Sequence, residues 1–457
     1  MPQPSRPNIL YLHSHDTGRY IQPYGYAVAT PNLQRFAQEG VLFRNAFTVN
    51  PTCSPSRAAL LTGSWPHCNG MVGLAHRGNR LNDYRQHLIH TLKPLGYHTA
   101  LCGIQHIAHE PKSQPWQTIG YDELVPLGDG SEGACDIGRE DLARARGAVE
   151  FLKRPHDRPF FLSVGFFATH RTGVRGHNGE ISPAGDARFV RPPAHLPDTP
   201  RTRQDFADFA VAAGRLDRYM GMVLEGLDQA GLRGNTLVII TTDHGIAFPG
   251  MKCNLTDHGL GVMLMLRGPG RVGQGAGRVI DAMVTHLDVF PTVCDVVEAP
   301  HPAWLQGKSL LPLIAGQTDS LHDAIYAEVN YHAAYEPLRA VRTNRYKYIR
   351  RFDLHSHPVL PNCDDSLSKD VLLEYGWRQR TQEEEQLFDL AFDPQESCNR
   401  IHDPACQEVV EDLRRRLDEW MRSTNDPLLA GRVPPRPGSV VNPVDGLSPN
   451  EPRLRLA

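Results

Sequence analysis

The sequence predicts an α/β fold: a mostly parallel central sheet with helices on both faces, followed by a smaller C-terminal α+β region with an antiparallel sheet. Three observations carry that prediction. Short apolar runs alternate with helix-patterned segments, two of those runs stop abruptly at polar clusters, and the pattern changes near residue 320. The chain of 457 residues exceeds one ordinary domain. It divides at that change into an N-terminal α/β domain, residues 1–320, and a smaller C-terminal region, residues 321–457, with an irregular tail.

The elements follow in order. Asn8 to Leu12 reads as a short apolar strand and runs into the polar stretch His13 to Arg19. Open α/β sheets collect ligands where loops leave the carboxyl ends of strands, so this stretch is a site candidate. Thr30 and Pro31 then give a cap residue and a proline at the first helical position, and Leu33, Phe36 and Ala37 follow at helical spacing until Gly40. Pro159 to Val164 reads as a strand, Asp205 to Ala230 as an amphipathic helix, and Thr236 to Ile240 as a buried strand that ends at Asp243 and His244. Beyond residue 320, Arg339 to Ile349 alternates like an antiparallel strand and Glu408 to Met421 like a closing helix. The tail from Pro434 is rich in Pro, Gly, Asn and Ser and is expected to wrap the surface without regular structure. No internal repeat is present.

Composition excludes some functions and leaves the chemistry to motifs. A net charge of −3 gives no general pull toward nucleic acid or anionic membrane. No apolar run is long enough to span a bilayer and no basic-then-apolar leader precedes Asn8, so the expected location is cytoplasmic. The nine cysteines are scattered and form no CxxC pair, which argues for reduced core thiols over a disulfide framework or a structural zinc site.

Cys53 is the exception. The segment Cys53-Ser-Pro-Ser-Arg57, continuing through Leu61, Thr62 and Gly63, places a thiol just before a helix with an arginine one turn on. A helix start favours anionic groups and chemistry on them, and helical spacing lets Arg57 fold back toward residue 53. Two acid–imidazole pairs, His15-Asp16 and Asp243-His244, stand at the predicted carboxyl ends of strands, although each alone also reads as ordinary turn chemistry. Arg171, Arg175, Arg188, Arg191, Arg201 and Arg203 make the stretch from His170 to Arg203 basic, read equally as a grip on an anionic sugar or as a solvated loop.

The Cys53 segment resembles the signature C-x-P-x-R of the formylglycine-dependent sulfatases of the alkaline-phosphatase superfamily. Ala29 to Leu33, Leu42 to Thr48, Asn69 to Leu74, Gly214 to Asp217 and Leu387 to Glu396 extend the resemblance from Asn8 to about Pro427, nearest to the heparan N-sulfatase, or sulfamidase, branch. The resemblance implies that a maturation enzyme oxidises Cys53 to formylglycine (3-oxoalanine). One hydroxyl of the hydrated aldehyde then attacks sulfur and the other later expels sulfate. It implies one divalent metal, calcium in the family, on His15, Asp16, residue 53, Asp243 and His244. The family usually has Asp-Asp where this chain has His15-Asp16. A second imidazole makes manganese, zinc or iron a better match than calcium, unless His15 stands behind the ligands. Arg57, His106, His170 and Lys252 match catalytic positions, but the family's Gly-Lys-x-His is Gly103-Ile-Gln-His106 here, so Ile104 replaces a lysine. His76, Arg77 and Arg171 are the substrate-binding candidates to compensate.

The implied activity is hydrolysis of a sulfate ester or N-sulfo group of a small sulfated sugar or aryl compound. Two alternatives stay open: a phosphonate monoester or phosphodiester hydrolase with the same nucleophile, and a non-catalytic protein that binds sulfated ligands. The partners implied are the small anionic substrate and the maturation enzyme, with no nucleic acid or membrane. The oligomeric state stays open.

Overall fold

A computed structural model of the chain describes residues 6–109, 114–131, 136–172, 176–177, 184–273, 277–353 and 355–456. Eight strands form the central sheet: β1 (Asn8–Ser14), β2 (Val41–Phe43), β3 (His98–Gly103), β4 (Glu123–Leu124), β5 (Phe160–Gly165), β6 (Thr236–Thr242), β7 (Leu264–Arg267) and β8 (Arg278–Ile280). Their order across the sheet is β8-β2-β7-β6-β1-β5-β3-β4. Only β7 runs against the others. β1 lies in the middle and is buried along its whole length, as a strand covered on both faces must be.

Alternate side chains of β1 serve two apolar layers. Ile9 and Tyr11 enter one, with Ala58, Leu60 and Leu61 of helix α2 (Cys53–Thr62). Leu10 and Leu12 enter the other, with Leu33, Phe36 and Ala37 of α1 (Pro31–Glu39) and with the faces of α3 (Asp136–Lys153) and α4 (Pro200–Gln229). α1 matches its predicted span, and the three residues expected to face the core are the ones buried. α4 begins at Pro200, five residues ahead of the predicted start, because Thr199 and Thr202 form a reciprocal capping box.

Past residue 320 a four-stranded antiparallel sheet forms from β9 (Ile325–Tyr331), β10 (Tyr335–Arg342), β11 (Tyr346–Arg351) and β12 (Glu385–Asp389), in that order. Arg339 to Ile349, expected as one strand, is the end of β10, a turn at Thr343 to Arg345, and the start of β11. Alternation cannot reveal a hairpin whose two arms keep the same phase. The sheet packs on the closing helix (Gln407–Ser423), and its core also takes in Val49, Ala59, Trp65 and Leu287 from the first part of the chain. A short α5 (Leu367–Glu374) packs against α4. The tail is mostly irregular as expected but adds a two-residue pairing of Val440–Val441 with Leu454–Arg455. Among the described residues all eight cysteines are unpaired; Cys135 lies outside them. No helix of the described residues is long and apolar enough to cross a membrane.

Candidate active site

Four neighbouring parallel strands end at one edge of the sheet, and each delivers functional groups there. β1 runs into His15 and Asp16, β6 into Asp243 and His244, β5 into the turn that carries His170, and β3 into Gly103 and His106. Across from them α2 starts at Cys53. Asn50 accepts hydrogen bonds from the backbone N–H and the hydroxyl of Thr52 at 3.0 and 2.6 Å, which fixes the chain immediately before the helix. Cys53 is the first helical residue and is buried, with Sγ 3.4 Å from His244 Nε2.

The ligand atoms of His15, Asp16, Cys53 and Asp243 all lie within 4.8 Å of one another. Asp243 Oδ1 accepts from the backbone N–H groups of Asp16 and His244 at 2.8 and 3.0 Å, which turns Oδ2 inward. His244 Nδ1 donates to the Gly245 carbonyl at 2.9 Å, so its Nε2 presents a lone pair 3.3 Å from Asp16 Oδ1. Neither nitrogen of His15 and no donor to Asp16 Oδ1 makes a hydrogen bond, although His15 Nδ1 lies 3.1 Å from Asp243 Oδ2. Lone pairs facing one another in a buried pocket are stable only around a cation, so these residues fit a divalent metal. Burial, reinforced by Arg57, keeps the His15 imidazole well below its usual pKa and hence neutral, as a ligand must be. Asp16 and His106 adopt left-handed backbone, with φ of 54° and 57°, a conformation that clusters at functional sites.

A second group of charges sits beside this cluster. Lys252 Nζ donates to Asp16 Oδ2 at 2.9 Å and to Asp364 Oδ2 at 3.0 Å and lies 3.5 Å from His170 Nε2. His170 Nδ1 contacts the Arg171 carbonyl, which leaves Nε2 facing the pocket.

Comparison with known proteins agrees with this geometry. A sulfatase family model matches residues 7–299, close to two thirds of the chain. The chain belongs to the sulfatase family. A second model, for the C-terminal part of N-sulphoglucosamine sulphohydrolase, matches residues 252–360. The sulfatase is 32% identical to human N-sulphoglucosamine sulphohydrolase over 92% of its own length and 91% of that relative. It is 26% identical to an ulvan-active sulfatase of Formosa agariphila over 93% of its own length and 76% of that relative. Among solved structures it shares the fold of a 2-O GAG sulfatase, with a TM-score of 0.69 and 22% identity over 95% and 96% of the two chains. It also shares the fold of the phosphonate monoester hydrolase of Agrobacterium radiobacter, with a TM-score of 0.67 and 21% identity over 94% and 100% of the two chains. It is a sulfuric ester hydrolase of the alkaline-phosphatase superfamily, and membership of the sulfatase family typically implies formylglycine and a metal.

Several expectations for this sulfatase need correction. Arg171 does not face a ligand. Its guanidinium makes a two-pronged pair with Asp205 at 2.7 and 3.0 Å, donates to the Ala247 carbonyl at 2.6 Å and stacks 4.5 Å over Phe248. Arg77 is likewise committed, donating to Ala333 O at 3.1 Å and to Asn442 Oδ1 at 2.8 Å, where it ties down the C-terminal tail. Arg57 bonds Ser14 O at 2.7 Å, Asp243 Oδ2 at 3.0 Å and His13 Nδ1 at 2.5 Å, so it folds toward the metal cluster's carboxylate and makes no hydrogen bond to Cys53. Three further arginines of the basic stretch are paired with carboxylates: Arg188 with Asp186, Arg201 with Glu374 and Arg203 with Asp198. Arg175 lies outside the described residues. Near Ile104 the exposed His76 stacks on His106, with Nδ1 to Nε2 at 3.0 Å, and the His106 ring lies 5.5 Å from that of His15. Of the three compensating candidates, only His76 reaches the site.

Sequence reasoning missed the roles of His13 and Asp364. His13 stood in the polar stretch already marked, but nothing there distinguished it from its neighbours. Asp364 comes from an acidic doublet in an irregular segment with no pattern to read.

Proposed function

We propose that this sulfatase hydrolyses a sulfate ester or N-sulfo group of a small sulfated sugar through a nucleophile made from Cys53. The observation that supports this reading most directly is the placement of Cys53 at a helix start, 3.4 Å from His244 Nε2 and within the cluster of His15, Asp16 and Asp243. Burial, with Asp16 and Asp243 nearby, pushes the Cys53 thiol well above its usual pKa despite Lys252. A neutral buried thiol is a poor nucleophile, which fits a residue that must be modified before it acts. When present, formylglycine supplies a hydroxyl nucleophile and the metal supplies positive charge that eases its deprotonation.

The remaining work falls to the chain. His15, Asp16, Asp243 and His244 would hold the metal, with Arg57 keeping Asp243 ionised and turned inward. Lys252 holds the sulfuryl oxygens, and His170 gives a proton from Nε2 to the departing oxygen or nitrogen. His76 and His106 together offer a donor where Ile104 removes the lysine. Similarity to enzymes named for sulfated sugars supports the sugar assignment. Two imidazoles among the donors favour manganese, zinc or iron over calcium.

Peptide mass spectrometry across residue 53, metal analysis of the same sample and turnover of matched aryl sulfate, N-sulfoglucosamine and aryl phosphonate esters test the proposal. The expected result is a lighter, aldehyde-bearing residue 53, a transition metal and preference for the sulfated compounds. A native protein that keeps its thiol would end the nucleophile assignment. Ile104, which costs the pocket one cation, favours phosphonate monoester or phosphodiester hydrolysis as the second reading, and a clear phosphonate preference would establish it.

A further inference from the structure

We infer that Asp364, supplied by the C-terminal region, sets the charge selectivity of the pocket, matching it to a singly charged group such as a sulfuryl oxyanion and against a doubly charged one. The inference rests on the reading of Lys252 as the sulfuryl-oxygen contact. Its basis is a charge count around one buried ammonium. Lys252 lies between Asp16 Oδ2 at 2.9 Å and Asp364 Oδ2 at 3.0 Å, and Arg57 is matched by Asp243 at 3.0 Å. The chain's own carboxylates and basic side chains in these contacts are therefore three, Asp16, Asp243 and Asp364, against two, Lys252 and Arg57. Whatever cation joins the site, Asp364 subtracts one unit from the positive charge that a substrate oxygen meets at Lys252.

The carboxylate is held in place by design of the loop that carries it. Lys369 Nζ donates to the carbonyls of Leu360 and Cys363 at 3.0 and 2.7 Å and to Asp365 at 2.9 Å, bracketing Asp364 on both sides. Asn362 bonds the Ala334 N–H and Glu336 at 2.8 Å each. The Ser368 N–H donates to Asp205, the partner of Arg171, at 3.1 Å. The loop with Asp364 and the turn with His170 are thus clamped to the same residue of α4, which fixes Asp364 relative to Lys252 and His170. An acid on a solvated loop would need none of this.

Methanesulfonate and methylphosphonate share a shape but differ by one charge at pH 9, and their binding needs no turnover. Calorimetry on the full chain would compare them in wild type, Asp364→Asn, Asp364→Glu and Lys252→Met, with metal content and residue 53 conversion checked in each. One unit charge at ~8 Å and an effective dielectric of ~20 corresponds to a factor of about thirty. Asp364→Asn should raise the affinity of methylphosphonate relative to methanesulfonate by about that factor, and Asp364→Glu should restore the wild-type ratio. Loss of general packing would weaken both anions and leave their ratio alone. An unchanged ratio in Asp364→Asn, while Lys252→Met weakens both anions, overturns the inference and leaves the role of Lys252 standing. Unchanged binding of both anions in Lys252→Met overturns that role and the inference with it.

Discussion

Arg171 offers the sharpest test of how this pocket is built, because its sequence reading and its structure disagree. Replacing Arg171 with alanine leaves Asp205 buried without its partner, and removal of one member of a buried pair typically costs about 3–5 kcal/mol. Unfolding entropy of roughly 2.1 cal/mol/K per residue gives about 1 kcal/mol/K for 457 residues. The expected fall in Tm is therefore ~3–5 °C, measured by calorimetry with matched metal content. The turn carrying His170 loses its clamp to α4, so kcat should fall by ~10–100-fold, as for a misplaced catalytic group, while KM for a small aryl sulfate changes little. Replacing both partners by apolar residues, Arg171→Met with Asp205→Leu, should recover much of the Tm without recovering kcat, because Asp205 also holds Ser368. An Arg171→Ala variant with wild-type Tm and a raised KM would show that the side chain serves substrate after all, and the bracing argument would fail.

The other predictions touch separate parts of the molecule. A Cβ at Gly245 would stand 1.9 Å from the His258 carbonyl, so Gly245→Ala must displace His244; metal retained after dialysis should drop, and kcat/KM should fall by ~100-fold. His67 and Glu328 form a buried pair at 3.0 Å in which burial pushes His67 down but Glu328 outweighs it, holding His67 at about 10. Because that value lies above the unfolded one, the pair's contribution is complete below about pH 6.5 and fades as pH rises toward about 10. The Tm gap between wild type and His67→Gln should be widest near pH 6 and close on the alkaline side; a gap that widens with pH would refute this. Arg77→Ala should speed proteolytic loss of the tail beyond Pro434 while kcat on a small aryl sulfate stays within about twofold, since Arg77 bonds Asn442 and Ala333 and no group at the site.

Much of the scaffold was legible because burial on two faces writes itself into sequence. β1 and β6 are apolar runs that stop where the site starts, and the helix with Leu33, Phe36 and Ala37 carries its start and stop signals within its own residues. The hairpin at Thr343 to Arg345 was not legible, since two strands in phase look like one. Within the site, residues near a strand end or in the Cys53 signature lie together: His15, Asp16, Cys53, Asp243 and His244 are neighbours. Charge alone misled at Arg171 and Arg77. An arginine near a site reads the same whether it is free to hold an anion or spent on a buried aspartate, and the partner that decides, Asp205 or Asn442, lies 34 or 365 residues away.

The same reasoning explains why Lys252 and Asp364 must be considered together. A motif records that a lysine is present, whereas recognition of an anion depends on the charge left after the lysine's neighbours are counted. Here one neighbour, Asp16, comes from the loop that leaves the first strand, and the other, Asp364, from a loop held by Lys369, Asn362 and Ser368 in the C-terminal region. Loss of the lysine at Ile104 removes a further positive charge from the same pocket. Both features act in one direction, toward fewer cations around the transferred group. A pocket altered in that sense discriminates first by the charge of that group and only then by the sugar or aryl group attached to it.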